Sequence, residues 1–233
     1  MSDDSAADAD VTLSRLATDG IDKGRLEALT DGIVAVAMTL LVLDIKSPEN
    51  RSFETAADLV TYLAALEHSF AMYVISFFVL AIFWIAHHLL FHFVRHVDRR
   101  LLWLNIAFLL LVTFVPFSTD LLGDHGHLML PVLVYGANLL ALGSLLAIQL
   151  RYLVANRELA AADLTDAVVK QMWRDLQLYA SVPIASMLVS IVSPRTGMYL
   201  YLLLAIPTFA PSRLDRHLHP GAATRVESSR EDS

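Results

Sequence analysis

Arg25-Leu-Glu-Ala-Leu-Thr-Asp31 runs directly into Gly32 to Ile45, GIVAVAMTLLVLDI. The reading of this stretch decides the fold. A guanidinium and two carboxylates, Glu27 and Asp31, stand at the start of an apolar segment, and Asp44 stands near its far end. A carboxylate at the centre of a membrane helix costs roughly 2.5–3.5 kcal/mol on insertion scales, so Asp31 needs partners if this segment crosses a bilayer.

The rest of the chain says that it does. Of the 233 residues, 56% are hydrophobic, above the roughly 45–50% of soluble domains. Several segments are long enough to cross about 30 Å of hydrocarbon at 1.5 Å per residue. After the first, Arg25 to Ile45, the spans are expected at Ser69 to Val94, Leu101 to Leu122, Leu128 to Leu150, Trp173 to Val192 and Met198 to Pro211. Glu49 to Glu67 reads as a short interfacial helix, and Arg151 to about Lys170 as a charged linker. The fold class is therefore all-α: a polytopic membrane protein with six transmembrane helices and one repeat per chain, since no internal repeat is visible. The membrane domain is expected over residues 23–211. Before it, residues 1–22 form an acidic tail, and residues 212–233 a polar one, both with compositions that disfavour order.

Much of the net charge of −7 sits in the N-terminal tail, where four aspartates precede any basic residue. That start does not fit a cleaved signal peptide, so the first helix is expected to insert as its own anchor. With both termini cytoplasmic and six spans, fourteen Lys and Arg residues fall on the cytoplasmic side and three, Lys46, Arg51 and Arg195, on the other. This is a strong positive-inside bias, and a multi-pass protein of the cell membrane is expected. Cysteine is absent, which removes disulfides and thiolate chemistry.

At about 100° per residue, Gly32, Val36, Thr39, Leu40 and Leu43 fall within roughly 60° of Arg25, while Glu27 and Asp31 lie on the far side. Asp31 then points toward neighbouring helices, and the stripe faces something else. Ordinary helix packing is one reading of the stripe, and the wall of an ion path is the other, because aliphatic constrictions with a hydroxyl layer control ion hydration. Partners for Asp31 come from the next two spans: Trp84, His87 or His88, and Asn105, with Thr30 beside it. The wheel does not choose between the histidines. Arg25 lies on the stripe side, and Glu27, Asp22 or a neighbouring subunit would each serve as its partner.

Two further motifs carry less. Val134-Tyr135-Gly136 ends like a carbonyl selectivity filter, but it lies inside an apolar span and is expected to be a helix-packing glycine. His87, His88 and His92 would begin a histidine-ligated membrane metalloenzyme, yet half of the ligands such a site needs are missing. No metal, cofactor, nucleotide or nucleic acid is expected.

From Arg25 to Leu43 the chain resembles the first-helix signature of the family of transmembrane protein 175, the endosomal and lysosomal potassium channel of animals and its bacterial relatives. The resemblance continues through Phe83-Trp-Ile-Ala-His87-His88-Leu-Leu-Phe91 and Asp98-Arg-Arg-Leu-Leu-Trp103-Leu-Asn105, and on to Pro116-Phe-Ser-Thr119. It implies a potassium channel rather than an enzyme: one repeat per chain, a homotetramer in the lipid bilayer, and K⁺ as the permeant ion. By position it implies a constriction at Val36, with Leu40 and Leu43 beyond it, a hydroxyl layer at Thr39, and an interhelical role for Arg25, Thr30 and Asp31. Leu29-Thr30 replaces the usual Phe-Ser, and Val36 stands where a larger Leu or Ile is usual, which implies a wider constriction. The alternative is a proton channel or proton-coupled transporter using Asp31 and a histidine as a relay.

Overall fold

The structure is a computed structural model that describes residues 22–45, 53 and 55–205. Both expected tails, apart from Asp22, lie outside the described residues, as does the segment after Ala205.

Among the described residues there are seven α-helices. Helix α1 spans Lys23–Leu40 and tightens into a 3-10 turn over Leu41–Asp44; Asp22 caps it by accepting from the Gly24 backbone N–H at 2.9 Å. Helix α2, Ala56–Ala65, starts with a capping box in which Thr55 and Asp58 satisfy each other's backbone N–H groups. It buries none of its residues, as an interfacial helix would. Helix α3 is Glu67–His92 and α4 is Arg99–His125, the latter capped by Asp98, whose Oδ1 accepts from the Leu101 N–H at 2.8 Å. Helix α5 is Met129–Ala155. Helix α6, Asp166–Ser190, opens on a Thr165 cap, and α7, Pro194–Leu200, opens on a proline at its first position and passes into a 3-10 turn over Tyr201–Ala205.

Among the described residues four segments are long and apolar enough to cross a membrane: Lys23–Asp44, Ser69–His92, Arg99–His125 and Met129–Ala155. The charged linker is shorter than the sequence implies. Helix α5 runs on to Ala155 and α6 begins at Asp166, so Asp166 and Lys170 are helical. Their polarity lowers the hydropathy of that helix, and its capped first turns read as a loop from composition alone.

The core lies along α5, which packs on α4 and α6 over most of its length. Val132, Tyr135, Leu142, Leu150 and Leu153 of this helix are fully buried. Tyr135-Gly136 is helical, not a re-entrant loop, and Gly136 packs where a Cβ would lie 2.5 Å from the Tyr201 hydroxyl. Hydroxyl groups join the helices here: Thr119 donates to Ser76 at 2.9 Å, and Ser76 and Tyr135 share a hydrogen bond at 3.0 Å. Such pairs satisfy polar groups where no water is at hand.

Backbone pairing fixes which ends lie together. The turn after α3 and the segment before α6 form a short antiparallel bridge between Val94 and Ala160, with Arg95 N–H to Leu159 C=O at 2.7 Å and Ala161 N–H to Phe93 C=O at 2.8 Å. Tyr152, near the end of α5, donates to Asp98 at the start of α4. Lys23, Arg25, Arg95, Arg99, Arg100, Arg151 and Arg157 therefore gather at one end of the bundle, and Arg195 sits at the other beside Asp124 and His127.

At Gly197 an added Cβ would sit 2.7 Å from the Ser186 carbonyl oxygen and 3.0 Å from the Ser190 nitrogen, both backbone atoms that cannot yield. Gly197→Ala should cost about 1–3 kcal/mol through overpacking, read as a lowered melting temperature of the purified chain. Gly123→Ala meets only the Met72 side chain at 3.7 Å and should leave the melting temperature unchanged.

Candidate functional site

Helix α1 has two faces of opposite character. Leu26, Thr30, Val34, Ala37 and Leu41 are buried, a spacing of four, four, three and four that keeps one face against the bundle. On the opposite face Val36 is 57% exposed, Leu40 42% and Leu43 71%, and a Cβ on Gly32 would meet nothing within 4 Å. The chain's own fold leaves the stripe uncovered. Thr39 lies on the same face, and its hydroxyl donates to the Val36 carbonyl oxygen at 2.8 Å. That bond uses the proton and leaves the oxygen lone pairs turned outward, available to a cation.

Between α1 and α4 the same face borders an apolar groove of about 410 Å³, lined by Ala28, Leu29, Gly32, Val36 and Leu40 of α1 and by Thr113 of α4. Sequence reasoning did not single out Thr113. A threonine in an apolar span carries no signal until the helix beside it is known.

The polar side of α1 is held by two separate sets of hydrogen bonds. Inside the bundle, Asn105 Nδ2 donates to Thr30 Oγ1 at 3.0 Å, and Thr30 in turn donates to the Leu26 carbonyl at 3.0 Å. The Asn105 carbonyl oxygen accepts from His87 Nε2 at 2.7 Å, which fixes the proton of that ring on Nε2. His87 is sandwiched between Phe91 and Phe108, with ring centroids at 4.2 and 5.1 Å and planes within 20°. At the rim, the Trp84 indole N–H donates to Asp31 Oδ1 at 2.8 Å, and His88 lies against the Trp84 ring at 5.7 Å. No hydrogen bond joins Asp31 to either histidine among the described residues. The single network expected from the sequence is thus two: Thr30–Asn105–His87 within, and Asp31–Trp84 with His88 outside.

The remaining candidates separate. Glu27 is engaged by Lys23 at 3.7 Å and Asp22 by its own cap, and Arg25 forms no ion pair among the described residues. His92 points to Asp163, 3.9 Å away, while His87 and His88 have other neighbours, so the nitrogens of the three histidines do not converge on one point. No group of three or more His, Asp or Glu able to hold a metal ion occurs among the described residues.

Comparison with known proteins places this geometry. Residues 25–116 match the family model described as "Endosomal/lysosomal potassium channel TMEM175". A potassium channel of Streptomyces collinus is 42% identical over 104 residues, 45% of this chain and 49% of that protein. The endosomal/lysosomal proton channel TMEM175 of Danio rerio is 27% identical over 192 residues, 80% of this chain and 36% of that protein. This chain spans about half the length of the bacterial relatives it matches. Among solved structures, the lysosomal potassium-selective channel TMEM175 homolog from Chamaesiphon minutus superposes with a TM-score of 0.66 at 32% identity, over 79% of this chain and 95% of that one. The family is one of ion channels and not of enzymes. A likeness at that identity over nearly the whole of a solved relative, with the family model falling on the same two-faced helix and its anchor, means that this chain belongs to the TMEM175 family.

Proposed function

We propose that this protein is a potassium-permeable cation channel in which four copies surround an ion path lined by α1. The observation that carries the reading is the opposition of the two faces of α1, one buried in its own subunit and one apolar, exposed and bearing the Thr39 oxygen. Gly32 and the Thr39 hydroxyl interrupt the aliphatic side chains of that face, and symmetric copies packed around an axis would place it against water and other copies. Asp31 lies around the helix from the stripe, exposed with a single neutral donor, Trp84, and a carboxylate facing hydrocarbon is costly, which favours protein or water on that side of α1 as well. Val36, Leu40 and Leu43 then form an aliphatic constriction that disfavours fully hydrated ions, and Thr39 supplies a ring of oxygens that substitutes for part of the hydration shell. In this reading α6 and the segment opened by α7 supply the fifth and sixth crossings, beyond the four segments long and apolar enough among the described residues, and the gathering of basic residues at one end of the bundle supports that end, with both termini, as the cytoplasmic one in the cell membrane. The bacterial relative's name, a potassium channel, supports K⁺ as the ion.

The name of the animal relative, a proton channel, keeps proton transport as the second reading. Geometry favours the first. Thr30 gives its proton to the Leu26 carbonyl, and the Asn105 amide between Thr30 and His87 is not a proton carrier, so the buried set does not connect Asp31 to His87.

Liposomes holding the full chain under a potassium gradient provide the test. Potassium-dependent efflux with a reversal potential that follows K⁺ is expected; one that follows pH alone would replace this reading with the second. Val36→Asn should raise basal flux and Thr39→Ala should lower the preference for K⁺ over Na⁺ severalfold, whereas unchanged permeation in both would remove α1 from the path. Asp31→Asn keeps an acceptor for Trp84 and should leave potassium flux in the surviving channels while reducing the yield of assembled particles; a proton relay predicts complete loss. The particle mass in detergent should be about four times the 25.8 kDa of one chain. Because a Cβ at Gly32 would meet nothing within 4 Å in its own subunit, a loss of that assembly in Gly32→Ala reports contact with another copy.

A further inference from the structure

At the basic end of the bundle the first turns of α4 and the last turns of α5 enclose an open depression of about 780 Å³, lined by Asp98, Arg99, Arg100, Trp103, Leu104 and Tyr152. We propose that it holds the phosphate of an anionic phospholipid, bound by Arg99 and Arg100, with the acyl chain running along the outward face of α4.

The two guanidiniums are exposed, and neither forms an ion pair among the described residues. With the Asp98 carboxylate beside them, the two guanidiniums leave the depression one net positive charge. One oxygen of Asp98 caps the Leu101 N–H and the other accepts from Tyr152. Arginine's planar fork suits a phosphate, and the one net positive charge of the depression matches a monoanionic headgroup. Depth agrees with this assignment. Helix α4 has 27 residues, about 40 Å at 1.5 Å each, longer than roughly 30 Å of hydrocarbon, so its first turn reaches the headgroup layer. One turn further in, Trp103 is 61% exposed, at the level where indole rings sit between chains and headgroups.

An apolar track continues from the depression. Leu110, Phe114 and Phe117 are exposed and fall within about 40° of Trp103 around the helix, whereas Thr113, which faces the α1 groove, lies about 80° away. A soluble anion would have no use for that track; a lipid fills it. The proposal rests on α4 crossing the bilayer and not on what the chain conducts, so it stands or falls apart from the channel reading.

Native mass spectrometry of the delipidated full chain, titrated with dioleoylphosphatidylglycerol, dioleoylphosphatidylcholine or inorganic phosphate, tests it. Phosphatidylglycerol should be retained in preference to phosphatidylcholine, and millimolar inorganic phosphate should not displace it. Replacing both arginines (Arg99→Gln with Arg100→Gln) should weaken phosphatidylglycerol binding about thirtyfold, at about 1 kcal/mol for each charge, while Arg195→Gln at the opposite end changes nothing. Equal retention of the two lipids by the unaltered chain would overturn the proposal whether or not the variant folds. So would displacement by phosphate, which would mark a site for soluble anions, and so would a changed number of copies in the double variant, which would mark the patch as a contact between subunits.

Discussion

The rotation of α1 about its own axis is set by two donors on neighbouring helices, the Asn105 amide on Thr30 and the Trp84 indole on Asp31. Adjacent residues on a helix are about 100° apart, so a pair of bonds to consecutive positions fixes the angle tightly. A slip of one residue would bring Val36 inward and turn Ala37 out. The identity of the exposed stripe, and with it the proposed path, depends on this clamp. Its inner half is secured further by the aromatic sandwich that fixes His87 and hence the Asn105 amide that reaches Thr30.

The same clamp explains how much was legible beforehand. The stripe and its opposite face follow from a fixed angular step along an unbroken helix, so Val36, Thr39, Leu40 and Leu43 separate from Thr30 on paper. Which histidine joins the buried set does not. His87 and His88 are neighbours on α3, and the choice rests on how α3 is turned by Phe91 stacking on one side and Phe108 of α4 on the other, a tertiary relation with no local mark. The division of the polar residues into an inner and an outer set has the same origin: Thr30 and Asp31 are consecutive, so they point to different neighbours. The start of α6 was obscured for another reason. Its first turn carries Asp166 and Lys170 follows one turn on, and hydropathy reads such a segment as a linker even though Thr165 caps it as a helix.

Polar groups in the bundle are distributed by depth. Near the basic end they anchor α1; near the other end, Ser76, Thr119 and Tyr135 join α3, α4 and α5. Between them lie Leu80, Phe83, Phe108 and Val112, all buried and apolar. This layer separates the two sets on α3 and α4; on α5 the buried Asn138 donates weakly to Ser118 at 3.4 Å, and its carbonyl oxygen and the Gln149 amide are buried without a hydrogen-bond partner among the described residues. The separation on α3 and α4 agrees with the proposed path, which runs along the outside of the subunit and not through its middle.

The antiparallel bridge between Val94 and Ala160 is made from main-chain groups and is therefore indifferent to the side chains it carries. It staples two loops separated by more than sixty positions of sequence, and with them the four longest hairpin arms, into one block. No corresponding main-chain staple reaches α1 from that block among the described residues; side chains alone hold it. In the proposed assembly, any rearrangement that widens or narrows the ion path would accordingly be a swivel of this single rod against a stator, with the indole and the amide as its detents.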